Sequence, residues 1–256
     1  DRDAMALAVA CRTGTYRAVY RPSAAERAVR REVGQRATLV RLRTCAINHV
    51  RANLLAEGFS VTNGDTPRFT ARVRKLVLGP LVDALAPLLD TIEELSRRIG
   101  DVDDRLEEIA EADPIVRKLM TTPGVGRVTA LTFRSTIGQV ERFEDGHRVA
   151  AYLGLVPSEY SSGGIERRGR VTKKGCGYTR FLLVEAGHRI LQKRTVGVEG
   201  LRAWGLRIAS RKGRSKAVVA VARKLSGILY AIWRDRTEFK DWTPKTQQTS
   251  VTKLAA

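Results

Sequence analysis

Two adjacent serines and a run of cations form the part of this sequence that could carry out chemistry. Ser161 and Ser162 precede Gly163 and Gly164. The cations that follow are Arg167, Arg168, Arg170, Lys173 and Lys174. Glycines let a phosphate approach the backbone closely, and arginines can stabilise the charge that develops on a phosphoryl group and activate a nearby serine. The segment would suit a serine that attacks a phosphodiester, although composition alone favours a Ser/Gly connection beside a solvated basic patch.

A glycine hairpin precedes this segment. Two short predicted helices, 115–120 and 127–135, are joined by the sequence PGVG. A Gly-x-Gly hairpin at a helix N-terminus presents backbone N–H groups to a phosphate without reading base sequence. Gly124, Gly126 and Arg127 are therefore candidate phosphate contacts. A tight turn between packed helices explains the same residues, and the pattern does not separate the two interpretations.

A second glycine-rich turn follows the cations. Residues 169–180, GRVTKKGCGYTR, predict a basic hairpin that turns at Gly175, Cys176 and Gly177. Arg180 then opens an apolar helix, where its guanidinium is a further candidate phosphate contact.

Long helices must position these turns. Residues 23–57 contain no proline and begin with a capping box formed by Ser23 and Glu26, so they predict one long helix. The next helix carries apolar residues at alternating spacings of three and four, the pattern of a coiled coil. These residues are Leu85, Leu88, Ile92, Leu95, Ile99, Val102, Leu106 and Ile109. This narrow seam should pair either with residues 23–57 or with a second copy of the chain, and we favour the second copy.

The charge balance indicates a polyanionic partner. The formal net charge is +19, and nucleic acid is the polyanion that such a surface most often meets. Residues 81–114 hold eleven acids and three arginines, whereas residues 161–240 hold twenty cations and five acids. Three isolated cysteines fit neither a disulfide framework nor a zinc site and suit a reducing cytosol. No apolar stretch reaches the roughly 18 residues that a membrane span needs.

Three sequence blocks, in a fixed order, carry a family resemblance. They are PGVGRVTA, a phenylalanine-led block that ends in AAYLGLVPSEYSSGG, and GRVTKKGCGYTRFLLVEA. Together they resemble insertion-sequence transposases of the DEDD-plus-serine kind, relatives of the Piv and MooV site-specific DNA invertases. The resemblance is strong from residue 115 to about residue 242 and weak over the helices before it.

The resemblance implies a mainly α chain. Residues 1–58 would be the C-terminal helical remnant of a RuvC-like α/β catalytic domain. Residues 59–114 would hold a basic helix and an acidic coiled-coil arm that supports a homo-oligomer. Residues 115–243 would form a mostly helical, serine-bearing transposase domain with a helix-hairpin-helix-like element, and residues 244–256 a disordered tail.

The resemblance also implies a reaction. Ser162 would be the nucleophile, with Ser161 as the alternative, and Asp3 would be the last of four acids that bind Mg²⁺. The other three acids are not found at the family's spacing, so we expect an N-terminally truncated chain that is inactive in strand exchange on its own. The implied partners are DNA and, in some members, a guide RNA called a bridge RNA, in the bacterial cytoplasm and at the nucleoid.

A non-catalytic nucleic-acid-binding module is the rival interpretation. In that case the Gly124 and Gly126 hairpin and the basic face would only hold a nucleic-acid backbone. Both interpretations predict salt-dependent binding, so only a covalent protein–DNA adduct would separate them.

Overall fold

A computed structural model describes residues 2–16, 19–62, 64, 66–76, 79–160, 167–192 and 196–241. The fold of these residues is mainly α, as predicted. The helices are α1 (Arg2–Thr13), α2 (Ala24–Ala56), α3 (Phe69–Leu76), α4 (Pro80–Ala112), α5 (Pro114–Met120), α6 (Arg127–Ile137), α7 (Gly146–Tyr152), α8 (Gly177–Gln192), α9 (Glu199–Lys212) and α10 (Arg214–Asp235). Two strands, β1 (Pro157–Glu159) and β2 (Arg168–Val171), form one antiparallel sheet. None of the described helices combines the length and the apolar character that crossing a membrane requires.

Helix α2 begins at the predicted place because its first turn is capped. The Ser23 hydroxyl accepts a hydrogen bond from the backbone N–H of Glu26, and the Glu26 carboxylate accepts one from the backbone N–H of Ser23. The Tyr20 hydroxyl donates to the same carboxylate at 2.6 Å. Since these N–H groups have no partner inside the helix, the capping box fixes where α2 starts.

Helices α2 and α4 pair antiparallel and form an arm. Arg36 binds Asp103 at 2.6 Å and Arg43 donates to Ser96 at 3.3 Å, so residue numbers rise along α2 as they fall along α4. Most of the predicted seam is buried, at Leu85, Ile92, Ile99, Val102 and Leu106. The seam therefore packs against α2 of the same chain, the first of the two predicted partners. Homo-oligomerisation stays a prediction and would need another surface of the arm.

Helix α10 lies at the centre of the larger core, where it packs against α5, α7, α8 and α9. Glycines allow two of these close contacts. A Cβ atom on Gly146 of α7 would lie 2.9 Å from the Cα of Gly227, and one on Gly205 of α9 would lie 2.7 Å from the side chain of Val221. Because real Cβ atoms essentially never come this close to another heavy atom, glycine at these positions sets how near α7 and α9 come to α10.

The buried side chains form two clusters. The larger joins α5 to α10 with Val33 of α2 and Leu106 of α4, and the smaller joins α3 with Leu54 of α2 and Leu89 of α4. Both arm helices contribute to both clusters. The domain boundaries at residues 58 and 114 stay a prediction, and the clusters do not divide the chain there. No residue of α1 is buried.

The strands correct one prediction. Pro157 of β1 lies opposite Val171 of β2, and Glu159 lies opposite Arg168. The chain therefore reverses between Glu159 and Arg168, and the hairpin turn predicted at Gly175, Cys176 and Gly177 is wrong. That segment leads from β2 into α8. Strands of three and four residues are too short to show the alternation of apolar and polar residues from which pairing is predicted.

Candidate nucleic-acid interface

Two glycines seat the basic β-hairpin on α7. A Cβ atom on Gly154 would overlap the backbone of Lys174, and one on Gly175 would overlap the carbonyl oxygen of Tyr152. Their φ angles are +68° and +73°, which glycine adopts without steric strain. The backbone N–H of Thr172 donates to Val156 at 2.9 Å beside them. The end of α7 and the end of β2 therefore interlock and fix the base of the hairpin.

Arg180 of α8 stabilises the same contact between the end of α7 and the end of β2. Its Nη1 donates to the carbonyl oxygens of Leu153 and Lys174, at 2.9 Å each. One guanidinium thus joins α7, β2 and α8 at the base of the hairpin. The phosphate contact of Arg180 stays a prediction beside this structural role.

Four of the predicted cations form an exposed patch, the hairpin surface. They are Arg167, Arg170, Lys173 and Lys174. No carboxylate pairs with any of them among the residues that the structure describes. Because these four cations form no ion pair with a described carboxylate, the hairpin surface can bind phosphates.

The serines themselves lie outside the described residues, as Ser161 and Ser162 both fall within 161–166. The described residues on either side are Tyr160 and Arg167, whose backbone N–H and carbonyl form a 2.9 Å hydrogen bond. Arg168 belongs to β2, but its side chain is also outside the description. The chain therefore enters and leaves the serine segment at adjacent points, directly beside Arg167.

The predicted glycine hairpin joins α5 and α6. Gly124 has a φ of +87°, and a Cβ atom there would lie 3.6 Å from the carbonyl oxygen of Ala186 on α8. Val125 is buried, whereas Gly126 is exposed and precedes α6 without a side-chain cap. Gly124 thus serves the packing of the turn, and the N–H groups after Gly126 remain open to an acceptor such as a phosphate. The turn fits both interpretations of the sequence.

A cavity of about 420 Å³ opens at this end of α6. Both cations and acids line it. Arg36 pairs with Asp103 at 2.6 Å, and Arg127 forms an ion pair with Glu107 of the arm. Since carboxylates neutralise these two arginines, the cavity attracts a phosphate less strongly than the hairpin surface does.

Cys176 carries a half-buried thiol near the base of the β-hairpin, and its polar surroundings were not predicted from the sequence. Burial raises the pKa of the Cys176 thiol, but hydrogen bonds from Thr179 and from the backbone N–H of Tyr178 outweigh burial and lower it below the usual value. The hydroxyls of Thr136 on α6 and Thr179 on α8 lie 2.8 Å apart beside it. These polar groups link α6 to α8. No spacing in the sequence brings Cys176 and Thr136 together.

Asp3 lies in the first turn of α1, where it is exposed. Within the described ranges, no three His, Cys, Asp or Glu side chains are grouped so that they could hold a metal ion. One carboxylate is too few for Mg²⁺, which takes several oxygen ligands. The described residues therefore do not form a magnesium site around Asp3.

The segment that contains the candidate interface is similar to a known protein family. Residues 116–197, which include the glycine hairpin, the serines and the hairpin surface, match the family described as Transposase IS116/IS110/IS902 family. The chain is 27% identical over 245 residues to a "Probable family 20 transposase" of Pseudomonas aeruginosa, a match that covers 93% of the chain and 72% of that relative. Residues 116–197 are thus similar to the IS116/IS110/IS902 transposase family, and most of the chain is similar to a transposase named as such.

Two further transposases match with similar identity. The transposase for insertion sequence element IS1111A of Coxiella burnetii is 29% identical over 90% of this chain and 65% of its own length. The transposase for insertion sequence element IS1328 of Yersinia enterocolitica is 28% identical over 80% of this chain and 62% of its own length. The chain thus spans roughly two thirds of the length of these transposases.

Proposed function

We propose that the complete protein is a DNA transposase that cleaves and rejoins strands with Ser162 as its nucleophile. One observation carries this proposal. The segment that matches the transposase family contains a hairpin whose base is locked by Gly154 and Gly175 and whose exposed cations follow the serines in the sequence. The names of the relatives supply the class of reaction, which is DNA transposition in an insertion sequence.

In the proposed reaction the Ser162 hydroxyl oxygen attacks a phosphorus atom of the DNA backbone. The serine–phosphorus ester forms as the bond from phosphorus to the 3′ oxygen breaks. The serine proton is released to water, and the departing 3′ oxygen takes up a proton and becomes a hydroxyl. The product is a 5′-phosphoserine link, and attack on it by the 3′ hydroxyl of another strand rejoins the DNA and restores the serine.

The hairpin surface would stabilise this reaction by charge. Arg167 and Arg170 would contact the phosphate under attack, where negative charge increases in the transition state. Lys173 and Lys174, at the locked base of the hairpin, would hold neighbouring phosphates and set the register of the backbone. Five further contacts are proposed from the sequence, at Gly124, Gly126, Arg127, Arg168 and Arg180.

Magnesium enters the proposal only through Asp3, which would supply one carboxylate of the site in the complete protein. The other ligands are not among the described residues, so we assign no step to the metal. A guide RNA, a homo-oligomer formed through the arm and a location at the bacterial nucleoid extend the proposal.

Replacement of the two serines tests the nucleophile. In the complete protein, Ser162→Ala should abolish recombination and the covalent DNA link while duplex affinity stays within about twofold, because the change removes a reacting atom but no charge. Ser161→Ala is the matched control and should retain both activities. Recombination by the Ser162→Ala protein would contradict the assignment, and loss of recombination in the control alone would move the nucleophile to Ser161.

A further inference from the structure

Ion pairing divides the arginines of this molecule into two sets. On the arm and the neighbouring α3, Arg36 and Arg74 bind carboxylates at 2.6 Å and 2.8 Å. On α9 and α10, by contrast, Arg207, Arg211 and Arg223 have no carboxylate partner within the described part of the chain, although Arg234 near the end of α10 pairs with Asp235. These three arginines therefore carry positive charge that no described carboxylate neutralises.

These three unneutralised arginines border a groove between α7, α9 and α10, which we call the Trp204 groove. Two cavities of about 650 Å³ and 550 Å³ meet at the Trp204 side chain. Arg223 lines the larger cavity, and Arg207 and Arg211 line the smaller one. The Lys224 ammonium lies 4.6 Å from the centroid of the Trp204 ring, so a cation is also present at the point where the cavities meet.

The lining of the larger cavity on α7 and α10 is mainly apolar. It is formed by small and aliphatic residues of α7 and α10, among them Ala150, Gly227 and Ile228. The close contact between Gly146 and Gly227 brings α7 onto α10 without intervening side chains. An apolar surface of small residues beside an aromatic side chain suits the faces of planar rings.

We propose that the Trp204 groove binds an unpaired segment of single-stranded DNA, with bases on the apolar floor and against Trp204 and with phosphates at Arg207, Arg211 and Arg223. The proposal rests on the proposed function, because cleavage and exchange of strands leave parts of the DNA unpaired. It adds a second DNA contact, whose three arginines lie on α9 and α10 and not on the β-hairpin.

Charge complementarity favours DNA over a protein segment as the occupant. No carboxylate lines either cavity among the described residues, so cations alone surround the apolar floor. An apolar protein segment placed there would cover the arginines without giving them a counter-charge, which is unfavourable. A single strand brings one negative charge per nucleotide together with bases that stack on aromatic side chains.

The orientation of Arg223 supports a phosphate contact at the edge of the groove. Its Nη2 lies 3.0 Å from the Nδ1 of His147, a residue of α7 that lines the larger cavity. This contact holds the guanidinium at the border of the larger cavity, while its remaining N–H groups stay open to an acceptor. His147 thus positions the Arg223 guanidinium at the edge of the groove.

Binding of a labelled oligonucleotide tests the proposal on the full chain. We expect Arg207→Gln/Arg211→Gln to weaken binding of fluorescein-labelled dT12 about tenfold or more at fixed low salt, because two phosphate contacts are lost. Binding of dT12 should also quench Trp204 fluorescence, and this quenching should disappear in Trp204→Phe, which keeps an aromatic wall. The matched control is Arg97→Gln/Arg98→Gln, which removes the same charge from the arm and should change affinity by less than about twofold.

Four results would overturn the proposal. They are equal losses in the two double variants, equal losses for dT12 and for a 12-base-pair duplex, unchanged quenching in Trp204→Phe, and binding of rU12 more than about tenfold tighter than dT12. Thermal unfolding of each variant shows whether its fold is intact, and Trp204→Leu provides a second variant that removes the aromatic ring. Ser162→Ala should leave dT12 binding unchanged, so failure of the nucleophile assignment and failure of the groove assignment give different results.

Discussion

At the scale of single residues, the close backbone approaches at Gly154 and Gly175 position the hairpin surface. Both residues have positive φ, and each faces the backbone of the other segment, so any side chain there meets atoms that cannot move aside. The hairpin surface is held in place by this contact and by Arg180, which donates to the same two segments. The position of the cations thus depends on glycines that carry no charge.

Substitution of Gly175 separates two effects on stability, the overlap with the backbone of Tyr152 and the strain of a positive φ angle. We expect Gly175→Ala to lower the free energy of unfolding by about 3 kcal/mol, since strain at positive φ adds to an overlap with the carbonyl oxygen of Tyr152. Gly58→Ala is the control, because Gly58 has a φ of +80° but faces open space, and it should cost only about 1 kcal/mol. Equal costs in urea unfolding would mean that the contact with α7 does not constrain the hairpin.

The spacing of residues in the sequence predicts part of the candidate nucleic-acid interface and leaves the other part unpredicted. Glycines beside Ser162 and the cations after it are consecutive in the sequence, so their common location follows from the chain itself. The pairing of Gly154 with Lys174 and the grouping of Trp204, Arg207 and Arg223 join residues of different elements. Such contacts depend on how helices pack, which no spacing rule determines.

At the scale of elements, the capping box and the heptad seam predicted the helices, because both are local patterns. Ser23 and Glu26 begin α2, and the seam from Leu85 to Leu106 is the buried face of α4. The identity of the seam's partner was not predictable, since a heptad pattern describes one face and not what covers it. The hairpin turn was misplaced for the opposite reason, because its strands are too short to carry a pattern.

The charge of Glu26 should make α2 sensitive to acid. Burial raises the pKa of its carboxyl, but hydrogen bonds from Tyr20 and Ser23 outweigh burial and leave it below the usual value. A lowered folded-state pKa means that Glu26 stabilises the protein above its ordinary pKa and loses this contribution as pH falls through the folded-state value. Glu26→Gln should therefore cost about 1 kcal/mol at pH 7 and less under acid conditions.

Urea unfolding of the wild type and Glu26→Gln near neutral pH and near pH 3.5 measures this difference. Glu57→Gln, at the other end of α2, is the control, because Glu57 accepts no such bonds and its replacement should have little effect at either pH. A gap between wild type and Glu26→Gln that stays constant from neutral to acid pH would show that the Glu26 charge does not contribute.

At the scale of the whole molecule, charge separates the arm from the helices that carry the interface. Acids of α4 pair with arginines of α2 and α3, while the cations of the hairpin surface and Arg207, Arg211 and Arg223 of the Trp204 groove have no carboxylate partner among the described residues. We therefore expect a nucleic acid to be drawn to α7–α10 and away from the acidic helix. Under the proposed function, the hairpin surface would hold a duplex and the Trp204 groove would hold an unpaired strand.

The site of covalent attachment is the most direct test of Ser162 as the nucleophile. Trypsin cleaves after Arg148 and Arg167 and releases residues 149–167, a single peptide that contains Ser158, Ser161, Ser162 and two tyrosines. The complete protein would be trapped on DNA, digested with nuclease and trypsin, and sequenced by tandem mass spectrometry. We predict a nucleotide phosphate on Ser162. A nucleotide attached to Tyr160, or to any residue outside this peptide, would contradict the proposed reaction.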